Sequence, residues 1–277
     1  MKKLQYFLAI MFFGAYFVSC TQQVQQEKAL VQEAPKIDES KIGKPIVEEK
    51  DIMVDFSSFW SYYKGNIKLF EDFISQDTSG AVIKKEEFLK QIILGTYYPL
   101  MVQSKDSLIN YRLRKIPVNA PEYTGVYLKQ DGRAALAHYL MEGKPIPAFS
   151  FSDVDGKLYT SSNTKGKIIL FKCWFIRCGA CILEMPQLNR MVEKYKDRDD
   201  VLFISLAIDP KRPLQDFLKT TQFDYVTVPN QEKYMSEQLK VPAYPYHFII
   251  NKQGLLVKAV GEAGEVEILL ERELKKG

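Results

Sequence analysis

The stretch that most constrains the fold is "KIILFKCWF", residues 167–175, together with the cysteines that follow it. The run is almost continuously apolar, which is typical of a strand buried on both faces of a sheet. Cys178 and Cys181 come directly afterwards in a Cys-Gly-Ala-Cys segment, and residues 178–195 have the pattern of a helix. The sequence therefore predicts an α/β unit with a cysteine pair at a strand-to-helix junction.

The position of this pair predicts redox chemistry. The unpaired backbone N–H groups and the dipole at the start of a helix favour negative charge, so they lower the pKa of a thiol at Cys178. Cys181 lies one turn further along the same face, within reach of Cys178. We therefore predict that Cys178 is the nucleophile that attacks a substrate disulfide. Cys181 is then the resolving cysteine that closes a redox disulfide with Cys178.

The third nearby cysteine, Cys173, leaves other interpretations to weigh. The spacing Cys173-x4-Cys178-x2-Cys181 matches the start of a plant-type [2Fe–2S] ligand set, but a cluster needs a fourth thiolate on the same side. Cys173 lies within the predicted strand, so we interpret it as an inert core residue. A peroxiredoxin would need Thr where this chain has Phe175. No metal or other cofactor is predicted.

Two alternative functions stay open at this point. One is a copper-binding chaperone that uses the same two thiols with a histidine, for which the chain offers only His138 and His247. The other is a non-catalytic binding lipoprotein in which the first half of the chain is the working part. An enzyme would be distinguished from both by reversible formation of the Cys178–Cys181 disulfide coupled to turnover.

The start of the chain predicts export and lipid anchoring. Lys2 and Lys3 precede about fifteen apolar positions, a pattern typical of a secretory signal and too short for a membrane span of roughly 20 residues. Its end, Ser19-Cys20, resembles the lipobox of bacterial lipoproteins. That resemblance implies a signal peptide over residues 1–19, lipidation of Cys20 and a location on the periplasmic side of the cell envelope, where disulfides persist.

Composition divides the rest of the chain. Residues 20–51 are rich in Gln, Glu and Lys and predict a disordered tether. Residues 52–143 predict a smaller α+β domain, without a catalytic constellation. The Pro-punctuated segment "KPIPAF" opens a domain over residues 144–277, in which strands and helices alternate around a mixed sheet. Half of the formal net charge of +4 comes from Lys2 and Lys3, so no nucleic-acid partner is predicted.

The cysteine segment resembles the thioredoxin motif Phe-Trp-Ala-x-Trp-Cys-x-Pro-Cys. Trp174 matches its first Trp, and Pro186 matches the Pro that kinks the helix after the cysteines. The segment "VPAYPYHFIINKQG" is similar to the one that carries the cis-proline of this family, which places that residue at Pro245. The resemblance implies a thioredoxin-like three-layer α/β sandwich in which Trp174, Tyr244 and Pro245 contact the substrate.

Two further segments are similar to the TlpA/ResA-like, membrane-tethered branch of thiol-disulfide oxidoreductases: "IPAFSFSDVDGK" and "CILEMP". The resemblance implies reduction of protein disulfides and a membrane electron donor of the thiol-disulfide relay type. It also makes Glu184 an active-site acid, which we predict to accept the proton of Cys181. Burial is expected to raise the pKa of Glu184 toward neutrality.

The chain departs from the thioredoxin pattern at four positions, and one departure is informative. Arg177 replaces Trp, Ala180 replaces Pro, Tyr246 replaces Thr, and Lys172 occupies the strand position of a buried Asp. A lone buried lysine is costly unless it is paired. We therefore expect Lys172 to approach Glu184 across the core and to set its protonation.

Overall fold

The computed structural model describes residues 42–105 and 108–276, and residues 43–277 form one compact unit. The predicted signal peptide, the predicted lipidation site Cys20 and the predicted tether as far as residue 41 lie outside the described residues. In the described part of the chain, no helix combines the length and the apolar character needed to cross a membrane.

The N-terminal region, residues 43–143, contains four helices and a four-stranded sheet. The helices are α1 (Glu49–Ile52), α2 (Phe56–Asn66), α3 (Lys85–Ile93) and α4 (Thr124–Met141). The strands are β1 (Phe73–Gln76), β2 (Val82–Ile83), β3 (Tyr97–Met101) and β4 (Ile109–Lys115), in the order β2-β1-β4-β3. The segment "NIKLFEDFIS", residues 66–75, contains the end of α2 and the first three residues of β1.

Ordered structure begins earlier than the tether boundary at residue 51 suggests. Pro45 forms an isolated bridge with Val102, and Glu49 makes two hydrogen bonds with Arg114, at 2.7 and 2.8 Å. Ile52 is fully buried. These partners lie about 50 to 65 residues away along the chain, so the local composition of this polar stretch gave no sign of them.

The redox region, residues 144–276, is built on a mixed five-stranded sheet, as predicted. The strands are β5 (Ser150–Ser152), β6 (Leu158–Thr160), β7 (Ile168–Trp174), β8 (Val201–Ala207), β9 (Val226–Val228), β10 (Tyr246–Ile250) and β11 (Leu256–Val260). β5 and β6 form a separate hairpin, and the main sheet has the order β11-β10-β7-β8-β9. β7, β8 and β9 are parallel, whereas β10 runs antiparallel to both β7 and β11.

The helices of this region cover the sheet, and the helix after the cysteines is broken, as the match of Pro186 to the helix-kinking proline of the thioredoxin motif implied. They are α5 (Gly179–Leu183), α6 (Met185–Lys194), α7 (Lys211–Leu218) and α8 (Ala263–Leu274), with a π-helical turn at Tyr234–Gln238. A single helix was expected from residue 178 to 195. Pro186 lies in the first turn of α6 and has no N–H to donate to the preceding turn, so the helix is divided at Glu184.

Alternation along β7 separates its side chains between two cores. Ile168, Leu170 and Trp174 enter the core formed with α6, α7 and α8. Phe171 and Cys173 enter the core on the other face, formed with the β5–β6 hairpin and the π-helical turn. Because successive strand residues point to opposite faces, Lys172 shares its face with Trp174, and Cys173 does not.

Ion pairs connect the N-terminal region to the redox region. Lys258 on β11 contacts both Asp72 and Glu142 at 2.8 Å. Lys68 contacts Glu265 at 2.6 Å, and Arg272 makes two hydrogen bonds with the carboxylate of Glu71, at 2.7 and 2.8 Å. The side chains of Lys258 and Glu142 are mostly buried, so solvent screens that pair less than a surface ion pair.

Two glycines allow direct backbone contact between α3 and α4. Gly95 follows α3 with a φ of +72°, and a Cβ at this residue would lie 2.7 Å from the carbonyl oxygen of Gly125. A Cβ at Gly125 would lie 2.6 Å from the carbonyl oxygen of Gly95. Both distances are too short for any side chain, so the end of α3 can meet the start of α4 only with glycine at both positions.

We expect Gly125→Ala to lower the free energy of unfolding by about 1–3 kcal/mol, because the new methyl group forces the two helices apart. Urea denaturation of the two proteins measures the difference. Gly65→Ala in α2 is the matched control, since a Cβ there meets no atom within 4 Å. Equal stability of parent and Gly125→Ala would contradict the close approach of these helices.

Candidate active site

The cysteine pair lies where β7 passes into α5, as predicted. β7 ends at Trp174, residues 175–177 form a turn, and Cys178 caps α5. Cys178 and Cys181 are joined by a disulfide. The backbone N–H of Cys181 donates to Sγ of Cys178 at 3.2 Å. A donor in this position favours negative charge on the sulfur, which is the electrostatic effect expected at a helix start.

The two cysteines differ slightly in their access to solvent. Both residues are buried, but Cys178 is 7% exposed, whereas Cys181 is 0% exposed. Cys178 is therefore the member of the pair that lies nearer the surface. The assignment of Cys178 as the attacking cysteine and Cys181 as the resolving cysteine stays a prediction.

The turn before Cys178 is held by two hydrogen bonds that backbone N–H groups donate, one to a carbonyl and one to a carboxylate. The N–H of Cys178 donates to the carbonyl of Phe175 at 3.1 Å. The N–H of Ile176 donates to Oδ2 of Asp209 at 2.8 Å. Arg177 is exposed beside the cysteine. Sequence reasoning missed Asp209, because it follows β8 and reaches the turn only when β7 and β8 pair.

A second segment reaches the same turn from the opposite end of the region. The Tyr244–Pro245 peptide bond is cis, as the resemblance implied for Pro245. The ring of Tyr244 packs edge-on against the ring of Phe175, with centroids 5.6 Å apart. Tyr244, Pro245 and Phe175 are each half-buried, so they offer an apolar surface next to Cys178.

Trp174 does not contribute to this surface, contrary to the prediction that it contacts the substrate. Its side chain is 0% exposed and packs against Phe217 and Phe223, with ring centroids 5.5 and 5.6 Å away. The physical reason is strand alternation, which directs Trp174 into the core beneath α6 and α7.

Cys173 is a free cysteine in the core on the opposite face of the sheet. Burial raises the pKa of its thiol well above the ordinary value. The thiolate that a redox or metal-binding cysteine needs is therefore disfavoured. The prediction that Cys173 is a strand residue, separate from the pair, is confirmed.

The predicted contact between Lys172 and Glu184 is present. Nζ of Lys172 lies 2.8 Å from Oε2 of Glu184, and the lysine side chain is completely buried. Two further donors reach the same carboxylate. His247 lies 3.1 Å from Oε2, and the backbone N–H of Ala263 donates to Oε1 at 3.0 Å. Glu184 therefore connects β7, β10 and the start of α8 at the point where α5 meets α6.

These contacts overturn the expectation that the pKa of Glu184 is raised. Burial alone does raise it, but the hydrogen bond with His247, the charge of that ring when it is protonated, and the charge and hydrogen bond of Lys172 outweigh burial and hold the pKa at about 2. Burial lowers the pKa of Lys172 from its ordinary value, while Glu184 opposes that shift. Burial also lowers the pKa of His247, which favours a neutral ring that donates from Nε2.

Strand register extends this polar group into a row across the sheet. His247 pairs with Lys172, Lys172 with Ser205, and Ser205 with Thr227. All four residues are buried, and the hydroxyls of Ser205 and Thr227 are 3.0 Å apart. The sequence signalled only the lysine, because a single buried Ser, Thr or His within a strand is not distinctive until the register is known.

The histidines considered for copper binding have other partners. His247 contacts Glu184, and His138 lies within hydrogen-bond distance of Leu239 and Tyr246. Both rings are buried. Within residues 42–105 and 108–276, no group of three or more His, Cys, Asp or Glu residues could hold a metal ion.

Comparison with known proteins agrees with this geometry. Residues 141–271 match the Redoxin family model. Over 121 residues the chain is 27% identical to the thiol-disulfide oxidoreductase ResA of Bacillus cereus strain ZK / E33L, which covers 43% of this chain and 70% of that protein. The ResA of Bacillus subtilis strain 168 is 25% identical over 121 residues, or 44% of this chain and 68% of that protein.

Solved structures give matches of similar extent. The crystal structure of the thioredoxin domain of a thiol-disulfide oxidoreductase from Bacteroides vulgatus is 19% identical, with a TM-score of 0.43. It covers 47% of this chain and 96% of that one. The exposed lipoprotein thioredoxin Etrx1 of Streptococcus pneumoniae is 23% identical, with a TM-score of 0.39, and covers 45% of this chain and 99% of that one.

The fold, the helix-capping disulfide and the Redoxin match define a thioredoxin-like thiol-disulfide oxidoreductase. Within that class, residues 141–271 match the Redoxin family model and are similar to the ResA thiol-disulfide oxidoreductases. The N-terminal region before residue 141 lies outside the matched segment.

We expect Lys172→Met to raise the pKa of Glu184, because the variant removes an ammonium group and leaves the effect of burial. In the parent, the pKa of Glu184 is about 2 in the folded state, whereas its ordinary value is 4.5. This difference stabilises the folded state fully above pH 4.5. The stabilisation is lost as the pH falls through 2. The full contribution is about 3 kcal/mol. In Lys172→Met, we expect the ionisation of Glu184 to contribute less to the free energy of unfolding.

Carboxyl 13C NMR titration measures the pKa, and urea denaturation between pH 3 and 6 measures the stability. Lys258→Met is the matched control, since Lys258 is another largely buried lysine of the same sheet and pairs with Asp72 and Glu142 instead. An unchanged Glu184 titration in Lys172→Met would show that the lysine does not set its charge.

Proposed function

We propose that this protein reduces disulfide bonds of other proteins on the periplasmic side of the cell envelope, held to a membrane by a lipid on Cys20. The observation that carries the reductase assignment is the disulfide between Cys178, which keeps a small exposed fraction of 7%, and a fully buried Cys181. A pair of this kind admits a substrate sulfur to one position only. The anchor and the location are supported by the sequence of residues 1–20.

The reaction consists of two thiol-disulfide exchanges. The thiolate of Cys178 attacks one sulfur of the substrate disulfide, forms a mixed disulfide and releases the first substrate thiolate. Cys181 then loses its proton and attacks Sγ of Cys178. This step forms the Cys178–Cys181 disulfide, releases the second substrate thiolate and transfers two electrons to the substrate. The conformation described above corresponds to this oxidised product.

Substrate recognition is assigned to the surface beside Cys178. The ring of Tyr244 contacts the ring of Phe175, which places Tyr244 and Pro245 next to the turn. In this proposal the backbone at Pro245 faces an extended segment of the substrate, and the rings of Tyr244 and Phe175 contact its apolar side chains. Trp174 is left out of the contact surface because it is buried.

Each turnover leaves the pair oxidised, so a second dithiol must reduce it again. In an oxidising compartment the electrons come from a membrane partner of the thiol-disulfide relay type, which the resemblance to the ResA/TlpA-like branch implies. The partner dithiol attacks Cys178, because the sulfur of Cys181 is inaccessible. The same surface therefore serves the substrate and the electron donor in turn.

We expect Cys178→Ser to abolish reduction of insulin disulfides with dithiothreitol as the electron source. Cys181→Ser is expected to accumulate a mixed disulfide at Cys178, because the attack that releases it is missing. Cys173→Ser is the matched control and retains turnover, since Cys173 lies on the other face of the sheet. Alkylation mass spectrometry of each protein identifies the sulfurs that are bonded.

Redox titration of the Cys178–Cys181 couple tests the direction. A reductase is expected near the potential of thioredoxin, about −270 mV, rather than near the oxidant DsbA at about −120 mV. Turnover that persists in Cys178→Ser would overturn the enzymatic proposal. Stoichiometric Cu(I) binding without turnover would instead support the chaperone.

The role of Glu184 as proton acceptor stays a prediction and has its own test. A general base contributes most when its pKa is near the working pH, and the low pKa of Glu184 places it at the weak end of that range. We therefore expect Glu184→Gln to slow the release of the mixed disulfide by about tenfold. Stopped-flow measurement between pH 5 and 8 gives the rate. A rate identical to that of the parent throughout would remove Glu184 from the mechanism.

A further inference from the structure

His138 lies in the N-terminal region but contacts the redox region. It is in the last turn of α4, just before the segment that matches the Redoxin model, and it is buried. Its ring packs edge-on against Phe248, with centroids 5.3 Å apart, and at a tilt against Tyr246, with centroids 5.2 Å apart. Both aromatic residues belong to β10, the strand that begins directly after Pro245.

Both ring nitrogens of His138 have partners in the redox region. Nε2 lies 2.9 Å from the carbonyl oxygen of Leu239, and Nδ1 lies 3.1 Å from the hydroxyl of Tyr246. A carbonyl can only accept, so Nε2 carries the proton and donates to Leu239. In the neutral ring, Nδ1 then accepts from the Tyr246 hydroxyl. Burial lowers the pKa of His138, which is consistent with a neutral ring.

These two partners stand at the two ends of one loop. Leu239 follows the π-helical turn, Tyr246 begins β10, and residues 240–245 between them carry the cis-proline. At the other side of the loop, Tyr244 packs against Phe175, whose carbonyl accepts from the N–H of Cys178. A continuous chain of contacts therefore leads from α4 through the loop to the reactive cysteine.

The loop needs such a support because its own hydrogen bonds are few. Lys240 has a φ of +57°, in the left-handed region that costs a residue with a side chain about 1 kcal/mol or more. The N–H of Val241 donates to the carbonyl of Met235 at 3.0 Å, which fixes the entry to the loop. His138 spans the loop, because it bonds the residue before it and the residue after it.

We propose that His138 is a positioning residue through which the N-terminal region holds the cis-proline loop in the conformation that docks a protein disulfide. This inference rests on the proposed function, in that it assigns substrate docking to Tyr244 and Pro245. His138 does not touch the reacting sulfurs. It acts on binding, so it affects protein substrates and not the exchange chemistry of the cysteine pair.

The ion pairs between the regions supply the fixed frame that this role requires. Lys258 joins β11 to Asp72 and to Glu142, which directly follows α4. Lys68 and Glu265 form another pair, at 2.6 Å. With α4 held in this way against β11, the ring of His138 has a defined place beside β10.

The test compares two variants in the full chain. Tyr246→Phe removes only the hydroxyl, and His138→Leu removes both hydrogen bonds with a side chain of similar volume. We expect both variants to raise KM for insulin disulfides about fivefold, as one or two buried hydrogen bonds that order the loop are lost. The value of kcat, and the rate with a small aromatic disulfide that needs no docking, stay within about twofold of the parent.

Tyr62→Phe is the matched control. It removes a buried hydroxyl that bonds Pro99 and Met101 inside the N-terminal region, away from the loop. It is expected to lower stability but to leave KM unchanged. A KM that stays at the parent value in Tyr246→Phe, or that rises equally in Tyr62→Phe, overturns the proposal.

Hydrogen exchange separates this inference from the proposed function. In peptides that cover residues 239–247, exchange is expected to accelerate about tenfold in Tyr246→Phe and to stay unchanged in Tyr62→Phe. This measurement needs no turnover. If the parent fails to reduce protein disulfides, the proposed function fails, whereas unchanged exchange in both Tyr246→Phe and His138→Leu overturns the positioning role in either case.

Discussion

The carboxylate of Glu184 is the interaction on which the arrangement of the site depends. It meets Lys172 on β7, His247 on β10 and the backbone of Ala263 at the start of α8, and it lies at the break between α5 and α6. Burying an ion pair costs several kcal/mol per ion, which only close geometry and additional donors offset. Because these partners surround Glu184, the helix that carries the cysteines has one position on the sheet. The same contacts keep the carboxylate ionised, so structural support and acid–base character have a common origin.

Around this anchor, the reactive surface is assembled from segments far apart in the chain. The turn at residues 175–178 supplies Cys178, the more exposed cysteine of the pair, and the loop at 240–245 supplies the apolar surface beside it. The N-terminal region reaches the second of these through His138, although it lies outside the Redoxin match. This region, whose sequence from residue 43 to 143 contains no cysteine, thereby contacts both ends of the cis-proline loop.

Much of this could be predicted from local sequence, and the failures have identifiable causes. The apolar run of β7 and the cysteine pair follow from short-range patterns, whereas the cis-proline follows from the resemblance to the thioredoxin motif, and the structure contains all three. The pairing of Lys172 with Glu184 followed from the cost of burying an isolated charge. The pKa of Glu184 was predicted in the wrong direction, because His247 adds a second partner whose place depends on strand register. The prediction that Trp174 contacts the substrate was wrong, because the motif shows that a tryptophan stands at this position but not which face of the strand it occupies.

The sequence by itself determined the chemistry, since two thiols at a helix start and a buried lysine need no distant partner to be recognised. The tertiary structure alone decided which groups surround them. Asp209 beneath the turn, His247 and Ala263 at the carboxylate, and His138 against the loop are brought to the site by sheet pairing and helix packing. Contacts of this kind join residues 33 to 108 positions apart. Their identity depends on the register and faces of several elements at once, which no local pattern encodes.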